Sequence, residues 1–408
     1  MAATDPLNLV LFCHPEYWAG QSMIRFSRML QSAFESRGHQ VMVLSPRDRC
    51  FNWLSKIGLP KWGLYLDQYL LFPREVRKSL REVSSDALFV FCDQALGPWV
   101  PLVADRAHIV HVHDLLALRS ALGEFPENPV SVTGRIYQRY IRRGFRRARH
   151  FISISYKTRD DLHRFGCVTA SISEVVHNGL AYPYSRIQAD RALQILRSAG
   201  LPAPARGMLL HVGGGQWYKN LPGIVALYSQ YAAQSREPAP LWIIGGTNSS
   251  LRVIEALREI PTSGDVQFFE NIDNVVLQAI YSISRALLFP SLAEGFGWPL
   301  IEAQACGCPV ITTDEAPMNE IAGSAARYLP RLLPGDDIVS WAQHGAELLN
   351  ELLSMTGEER NELVKRGIAW TARFDADAAI DRYLSIYRQV QDRYLTEAAS
   401  DIGSTGRA

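Results

Sequence analysis

The chain has 408 residues, of which 47% are hydrophobic and 20% charged, with a formal net charge of +1. At about 150 residues per domain this length makes two or three domains. The composition is that of a globular enzyme, and the near-zero charge gives no whole-protein pull toward nucleic acid or membrane, so any basic surface is local. Six cysteines, at positions 13, 50, 92, 167, 306 and 308, lack paired spacing, which fits reduced thiols in a cytosolic protein. Leu7–Cys13 is a short apolar run behind Asp5 with no Lys or Arg, unlike a signal peptide. No apolar run approaches the roughly 18 residues of a membrane span.

Taken in order, Leu7–Cys13 predicts a strand, and Ser22–Arg37 a helix with Met23, Phe26, Met29, Leu30 and Phe34 on one face. Gly38 stops that helix and Gln40–Leu44 forms a second strand, the βαβ opening of a Rossmann-like half. The loop from His14 to Gly20 falls at a strand's carboxyl end, where open α/β sheets meet ligand. Phe51–Leu71 is aromatic-rich, with Trp53, Trp62, Tyr65 and Tyr69. It either packs on the sheet or offers its rings to sugar or lipid. Phe89–Cys92 and Ile109–Leu116 hold further strands, the second placing His111 and His113 on one face. His111, deeper in the strand, is expected to make a structural hydrogen bond. In Gly134–Arg149, Ile136, Tyr140, Ile141 and Phe145 share a helical face while Arg139, Arg142, Arg143, Arg146 and Arg147 spread over the rest. This is either a membrane-surface helix attracted to anionic headgroups or a solvated basic face on a core helix. Phe151–Ser155 reads as a strand, Tyr156–Phe165 as a helix, and Val175–Gly179 as a strand ending in a turn.

A second half begins with a helix over Gln188–Ala199 and a buried strand over Met208–Val212. Gly213, Gly214 and Gly215 follow, then Lys219, with Asn220 read as the side-chain cap of a helix from Leu221. A glycine loop entering a helix N-terminus beside a lysine is a phosphate cradle. Leu241–Ile244 and Val266–Phe269 are strands, and Asn274–Ile283 is a helix. Ala286–Thr313 then reads strand, glycine loop, helix, glycine stop, strand, with Pro299 at the first helical position and Gly307 closing the helix. The helix N-terminus suits a phosphate. Glu294 in the loop and Glu302, placed in the first helical turn, are better read as acceptors for vicinal hydroxyls than as phosphate contacts. A phosphate flanked by hydroxyl-rich groups describes a nucleotide sugar. Cys306 and Cys308 around Gly307 are small core residues, since no nearby cluster completes a metal site. Two amphipathic helices, Trp341–Leu353 and Glu358–Thr371, precede a long final helix over 376–397 and a small polar tail, 398–408, expected to be disordered.

The run from Glu294 through Glu302 to Val310, EGFGWPLIEAQACGCPV, resembles the E-x7-E signature of the retaining glycosyltransferases of family 4, which have the GT-B fold. That resemblance implies two Rossmann-like α/β domains facing across a cleft. The first, 1–183, would bind acceptor, the second, 184–375, nucleotide sugar, and the last helix would cross back to the first domain. It implies a metal-independent hexosyl transfer with no cofactor beyond the nucleoside diphosphate sugar, to a glycan or lipid-linked acceptor in cell-surface polysaccharide synthesis, in the cytoplasm at the inner face of the membrane. Glu294, His113 and Lys219 would be catalytic, with His113 in a His-Asp-Leu segment reaching the sugar. Donor binding would fall to Gly213, Gly214, Gly215, Lys219, Gly295, Phe296, Gly297 and Glu302, and the acceptor side to His14, Gly20 and Asp114. His177-Asn178-Gly179 is similar to the segment closing the family's first domain, and Glu320 to its Pro-x-x-Glu turn. The chain departs from the family where Gly20 is followed by Gln21, where Tyr218 replaces an arginine beside Lys219, and at Trp298, often aliphatic elsewhere. The rival readings are another GT-B sugar-nucleotide enzyme (an epimerase or an inverting transferase) and a non-catalytic nucleotide-sugar-binding subunit.

Overall fold

A computed structural model describes residues 5–17, 21–204, 206–247 and 250–405, with side chains omitted at 21 and 398–405. The chain divides into two compact units. One holds the residues up to Glu124, Pro129–His177 and those from Asp377 onward; the other holds Phe125–Asn128 and Asn178–Ala376. The division falls at His177/Asn178, six residues before the boundary drawn from sequence.

The first unit is built on six parallel strands: β1 (Asn8–Phe12), β2 (Gln40–Leu44), β3 (Leu88–Phe91), β4 (His108–Val112), β5 (His150–Ser153) and β6 (Ile172–Val175). They lie in the order β2-β1-β3-β4-β5-β6. Strand β6 ends where the expected strand began, so His177–Gly179 is loop. Both faces of the sheet are covered, which is why β3 reads as an unbroken apolar run, β1 as one after Asn8, and β4 is buried along its whole length. The period of two sorts their side chains. Leu9 and Leu11 point to the side of Phe26, Leu30 and Phe34 from helix Gln21–Ser36. Val10 and Phe12 point to the side of Trp99, Ile141 and Phe145. Helix Val132–Phe145 comes so close to the Gln94–Leu102 turn that a Cβ on Gly144 would lie 2.1 Å from the carbonyl oxygen of Gly97. Only glycine fits there.

The final helix, Ala376–Thr405, belongs to this first unit. Tyr383, Ile386, Tyr387 and Val390 bury onto the face that also receives Phe26 and Phe34. Tyr387 bonds His111 Nε2 at 2.6 Å, the structural role expected of that histidine. The helix continues past 397 through most of the stretch expected to be a disordered tail.

The second unit has β7 (Leu209–Val212), β8 (Leu241–Ile244), β9 (Val266–Phe269), β10 (Ala286–Phe289), β11 (Val310–Thr313) and β12 (Ala326–Leu329), all parallel, in the order β12-β11-β10-β7-β8-β9. Relabelled from its first strand, this is the doubly wound order of dinucleotide-binding folds. Helices Leu221–Gln234 and Ile338–Ser354 cover one face around Tyr228, Tyr231 and Leu349. Cys306 and Cys308 are buried and free, and burial pushes the Cys308 thiol up to about 12, as suits small core residues.

Two buried histidines make stability pH-dependent. Burial lowers His111 to about 3 and His211 to about 4, against an ordinary value near 6.5. The unfolded chain therefore takes up protons below pH 6.5 that the folded chain refuses, and stability falls with pH across that window. Burial also lowers His39, His108, His113 and His150 in the first unit, so urea unfolding at pH 5 should show the second unit weakened by about 2 kcal/mol relative to pH 7 and the first unit by more. His111→Gln should reduce the loss in the first unit, without removing it, and leave the second unit's unchanged; an unchanged slope in the first unit would contradict this assignment.

Candidate active site

The second unit reverses direction between β7 and β10, its inner neighbours. At such a switch point the loops leaving adjacent strands diverge, and a ligand crevice opens at the strands' carboxyl ends. The two loops expected to bind donor leave these two strands. After β7 come Gly213–Gln216, a 3-10 turn over Trp217–Lys219, and helix Leu221–Gln234. After β10 come Ser291–Gly297 and helix Trp298–Ala305.

The loops meet through charge. Lys219 Nζ donates to Glu294 Oε1 at 2.7 Å, and Ser291 Oγ donates to the same oxygen at 2.9 Å. Both ionic side chains are sheltered, Lys219 at 14% exposure and Glu294 at 8%. The ammonium also lies over the Phe289 ring, 4.8 Å from its centre. Glu294 Oε2 has no protein partner among the described residues. Backbone bonds tie the loops further, the Leu292 amide donating to the Tyr218 carbonyl at 2.7 Å.

Asn220 differs from its expected role. It makes no side-chain cap and sits in the left-handed region at φ 56°. From there its Nδ2 donates to the Pro290 carbonyl at 3.0 Å, so it fastens the first loop to the end of β10. Sequence spacing suggested a cap because the residue does precede the helix; the bond across the switch point has no local signature. The helix after β10 starts at Trp298, one residue before Pro299, so Glu302 lies in its second turn rather than its first. Gly297, at φ 98°, makes the turn into that helix, a conformation strained for any residue with a Cβ.

The other expected donor residues occupy these same loops. A Cβ on Gly213 would lie 3.1 Å from Lys219 Cδ, and on Gly214 2.6 Å from Gln216 Oε1. Glu302 Oε2 accepts from the buried Tyr281 hydroxyl at 2.9 Å. Phe296 is buried, its ring near Trp298 and Phe374. Residues missed in sequence complete the support. Arg331 donates Nε to the Leu292 carbonyl at 2.7 Å and an NH2 to Glu127 at 2.8 Å. Glu127 lies 204 positions away, beyond any periodicity argument. Ser291, three residues before Glu294, was findable as a Ser-x-x-Glu pattern. A cavity of about 460 Å³ beside these loops is lined by Trp217, Asn220, Thr247, Arg252 and Leu292, but by none of Lys219, Glu294 and Glu302.

In the first unit, the ends of β1 and β3 form the corresponding switch point. His14 Nε2 meets Asp93 Oδ2 there at 2.8 Å. Burial would raise the Asp93 carboxyl, but the His14 bond and charge hold it below the usual range. His113, at the end of β4, is buried and donates Nε2–H to the Cys92 carbonyl at 2.9 Å. Burial lowers its basicity, so the ring is neutral and Nδ1 is its remaining acceptor. Asp114 accepts from the Leu116 amide at 3.0 Å, at the entry to helix Leu116–Leu122. Gly20 lies outside the described residues. No group of three or more His, Cys, Asp and Glu among the described residues is placed to hold a metal ion.

The sequence and the fold resemble those of known proteins. A family profile for group 1 glycosyl transferases matches residues 196–370, and one for glycosyltransferase family 4 matches residues 24–181. The chain is 29% identical over 185 residues to O-antigen chain mannosyltransferase B of Escherichia coli, covering 45% of this chain and 46% of that protein. It is 22% identical over 250 residues to the O-antigen chain mannosyltransferase RfbU of Salmonella typhimurium, covering 61% and 62%. The chain therefore spans less than two thirds of either relative. Among solved structures, Anabaena HepE in complex with UDP and glucose superposes with a TM-score of 0.64 at 14% identity, over 94% of this chain and 100% of that one. The fold is that of the GT-B proteins, and each half of the chain matches a glycosyltransferase family profile. The chain belongs to the group 1 glycosyl transferases, with a family 4 first half.

Breaking a sheltered ion pair on one side strands the other charge. Lys219→Met should therefore lower the second unit's stability by about 3 kcal/mol, and adding Glu294→Gln should recover most of the loss. Thermal melts of the wild type, both single variants and the double variant check this. Additive losses would show that the pair carries no coupling.

Proposed function

We propose that the chain transfers a hexosyl group, with retention of anomeric configuration, from a nucleoside diphosphate sugar to a glycan or lipid-linked acceptor in cell-surface polysaccharide synthesis. The observation that carries this reading is the Lys219–Glu294 pair between two glycine loops at the β7/β10 switch point. The ammonium has three donors and spends one on Glu294, leaving two for diphosphate oxygens. Together with the N-terminus of helix Trp298–Ala305 it stabilises charge growing on the leaving group. Glu294 Oε2 takes hydroxyls of the transferred sugar, and Glu302, oriented by Tyr281, takes those of the ribose.

In the transfer, the bond from the anomeric carbon to the diphosphate oxygen breaks as the acceptor oxygen bonds to the same face. The departing phosphate oxygen takes the acceptor's proton, so no protein base is required. His113 contributes Nδ1 as a hydrogen-bond acceptor at the reacting sugar, and His14, oriented by Asp93, contacts the acceptor. Asp114, used at a helix entry, has a smaller part.

The mannosyltransferase relatives of O-antigen assembly support a polymer-building role, and the UDP and glucose held by the Anabaena neighbour support a nucleotide-sugar donor. No helix among the described residues is long and apolar enough to cross a membrane. We place the reaction in the cytoplasm, at a membrane's inner face, where a lipid-linked acceptor is reached.

A thermal-stability panel of nucleoside diphosphate sugars identifies the donor by the largest upward shift. With that donor, Lys219→Ala and Glu294→Gln should each lower turnover more than a hundredfold, about 2.7 kcal/mol at the transition state. Wild-type rates in either variant would overturn the assignment. Binding without any transfer or donor hydrolysis would favour a regulatory subunit, and an inverted product an inverting transferase.

A further inference from the structure

The first unit holds a pair of thiols that the proposed transfer does not use. Phe12 lies opposite Phe91 in the ladder of β1 and β3, so the next residues, Cys13 and Cys92, leave the two strands side by side. Their sulfurs are 3.8 Å apart. No spacing in the sequence pairs them, since they stand 79 positions apart. Neighbouring strands run about 4.7–4.9 Å apart, inside the Cα separations of about 4.4–6.8 Å that a disulfide spans.

The two sulfurs differ in chemistry. The Cys92 thiol donates toward Cys13, and this bond, with a smaller contribution from the Ser27 hydroxyl, holds the Cys13 thiol below its usual range against the effect of burial. Donation to Cys13, and then burial, push the Cys92 thiol up. Cys13 is thus the nucleophile and Cys92 the partner that keeps its proton. Burial instead pushes Cys50, Cys306 and Cys308 up, which makes those thiols less reactive.

Cys92 also sits among the polar groups of this switch point. Its carbonyl accepts from His113 Nε2 at 2.9 Å, and its amide donates to the Phe12 carbonyl at 3.1 Å. The next residue, Asp93, meets His14 at 2.8 Å, and His14 directly follows Cys13. To bond, the sulfurs must close by about 1.8 Å. In a packed interior, side-chain rotation supplies part of that movement and the two strand ends supply the rest. His14, Asp93 and His113 are all attached to those ends.

From this geometry we infer that Cys13 and Cys92 are an oxidation site for peroxide, closing to an intramolecular disulfide that displaces His14, Asp93 and His113. The Cys13 thiolate attacks one oxygen of hydrogen peroxide. The O–O bond breaks, hydroxide leaves, and Cys13 becomes a sulfenic acid. The Cys92 sulfur then bonds to the Cys13 sulfur as the S–O bond breaks, and the departing hydroxide takes the Cys92 proton as water. Two thiols are oxidised to one disulfide, and one peroxide is reduced to two waters. Cys13 keeps 5% exposure and Cys92 1%, so the oxidant is one about the size of water rather than a bulky disulfide. Disulfides that form in a reducing compartment are characteristically transient and redox-sensing. That oxidation lowers transfer rests on the acceptor-side roles proposed above for His14 and His113; the disulfide itself does not.

The full chain is treated with hydrogen peroxide, alkylated at its free thiols and mapped by mass spectrometry after proteolysis. A peptide joining Cys13 to Cys92 should appear, and dithiothreitol should remove it. The assigned His14 imidazole resonance should move on oxidation and return on reduction. With donor and acceptor, turnover should fall by about tenfold or more on oxidation and recover with dithiothreitol. Cys13→Ser and Cys13→Ala should keep the turnover of the reduced wild type and lose the response to peroxide. Cys167→Ser, at the exposed cysteine, should keep that response. Recovery of Cys13 and Cys92 as free thiols after peroxide would overturn the inference. So would an unmoved His14 resonance, or undiminished turnover, in the cross-linked protein. The peptide map and the resonance need no substrate, so they decide the oxidation site even if the chain transfers no sugar.

Discussion

The second unit depends on one ammonium–carboxylate contact placed where a parallel sheet reverses its winding. Lys219 and Glu294 are 75 positions apart, yet their loops leave neighbouring strands, and the sheet order alone brings them together. Withdrawing two charges from water is costly, so the pair persists only because each partner is otherwise satisfied. Ser291 shares the carboxylate, Phe289 presents a ring face to the ammonium, and Asn220 and Leu292 fasten the two backbones. The result is a cation held at a fixed position with donors to spare, beside a helix N-terminus. Under the function proposed here, that cation and helix end would stabilise the charge of a departing diphosphate.

Support for this contact reaches outward through Arg331, which holds the Leu292 carbonyl with one nitrogen and the Glu127 carboxylate with another. Phe125, two residues before Glu127, packs its ring against Trp217 on the turn that carries Lys219. A four-residue stretch, Phe125–Asn128, thus touches both supports of the site and belongs with the second unit although the sequence around it builds the first.

Much of this was legible in the sequence, and the reason is local. The strand–glycine loop–helix pattern around Glu294 and Glu302 depends on neighbours within a dozen residues, and helix Asn274–Ile283 was read with the bounds the structure shows, although its Asp273 cap was not singled out. What stayed hidden depends on long-range pairing. Asn220 looked like a cap because its neighbours are helical, while its actual partner, Pro290, arrives 70 residues later. His111 could be assigned a structural bond but not its partner, Tyr387. Alternation in Phe51–Leu71 could not separate packing from exposure, since Trp53 and Leu54 are equally apolar and only the fold decides which is buried. Arg331 and Glu127 gave no signal, because an isolated arginine and an isolated glutamate look like ordinary surface.

The central claim is that the loops after β7 and β10 receive the diphosphate. Amide hydrogen exchange with and without UDP and GDP tests it directly, whichever sugar and acceptor the enzyme uses. The account predicts slowed exchange on nucleotide binding in both Gly213–Asn220 and Gly295–Ala305. Protection absent from both loops, or confined to the first unit, would contradict it.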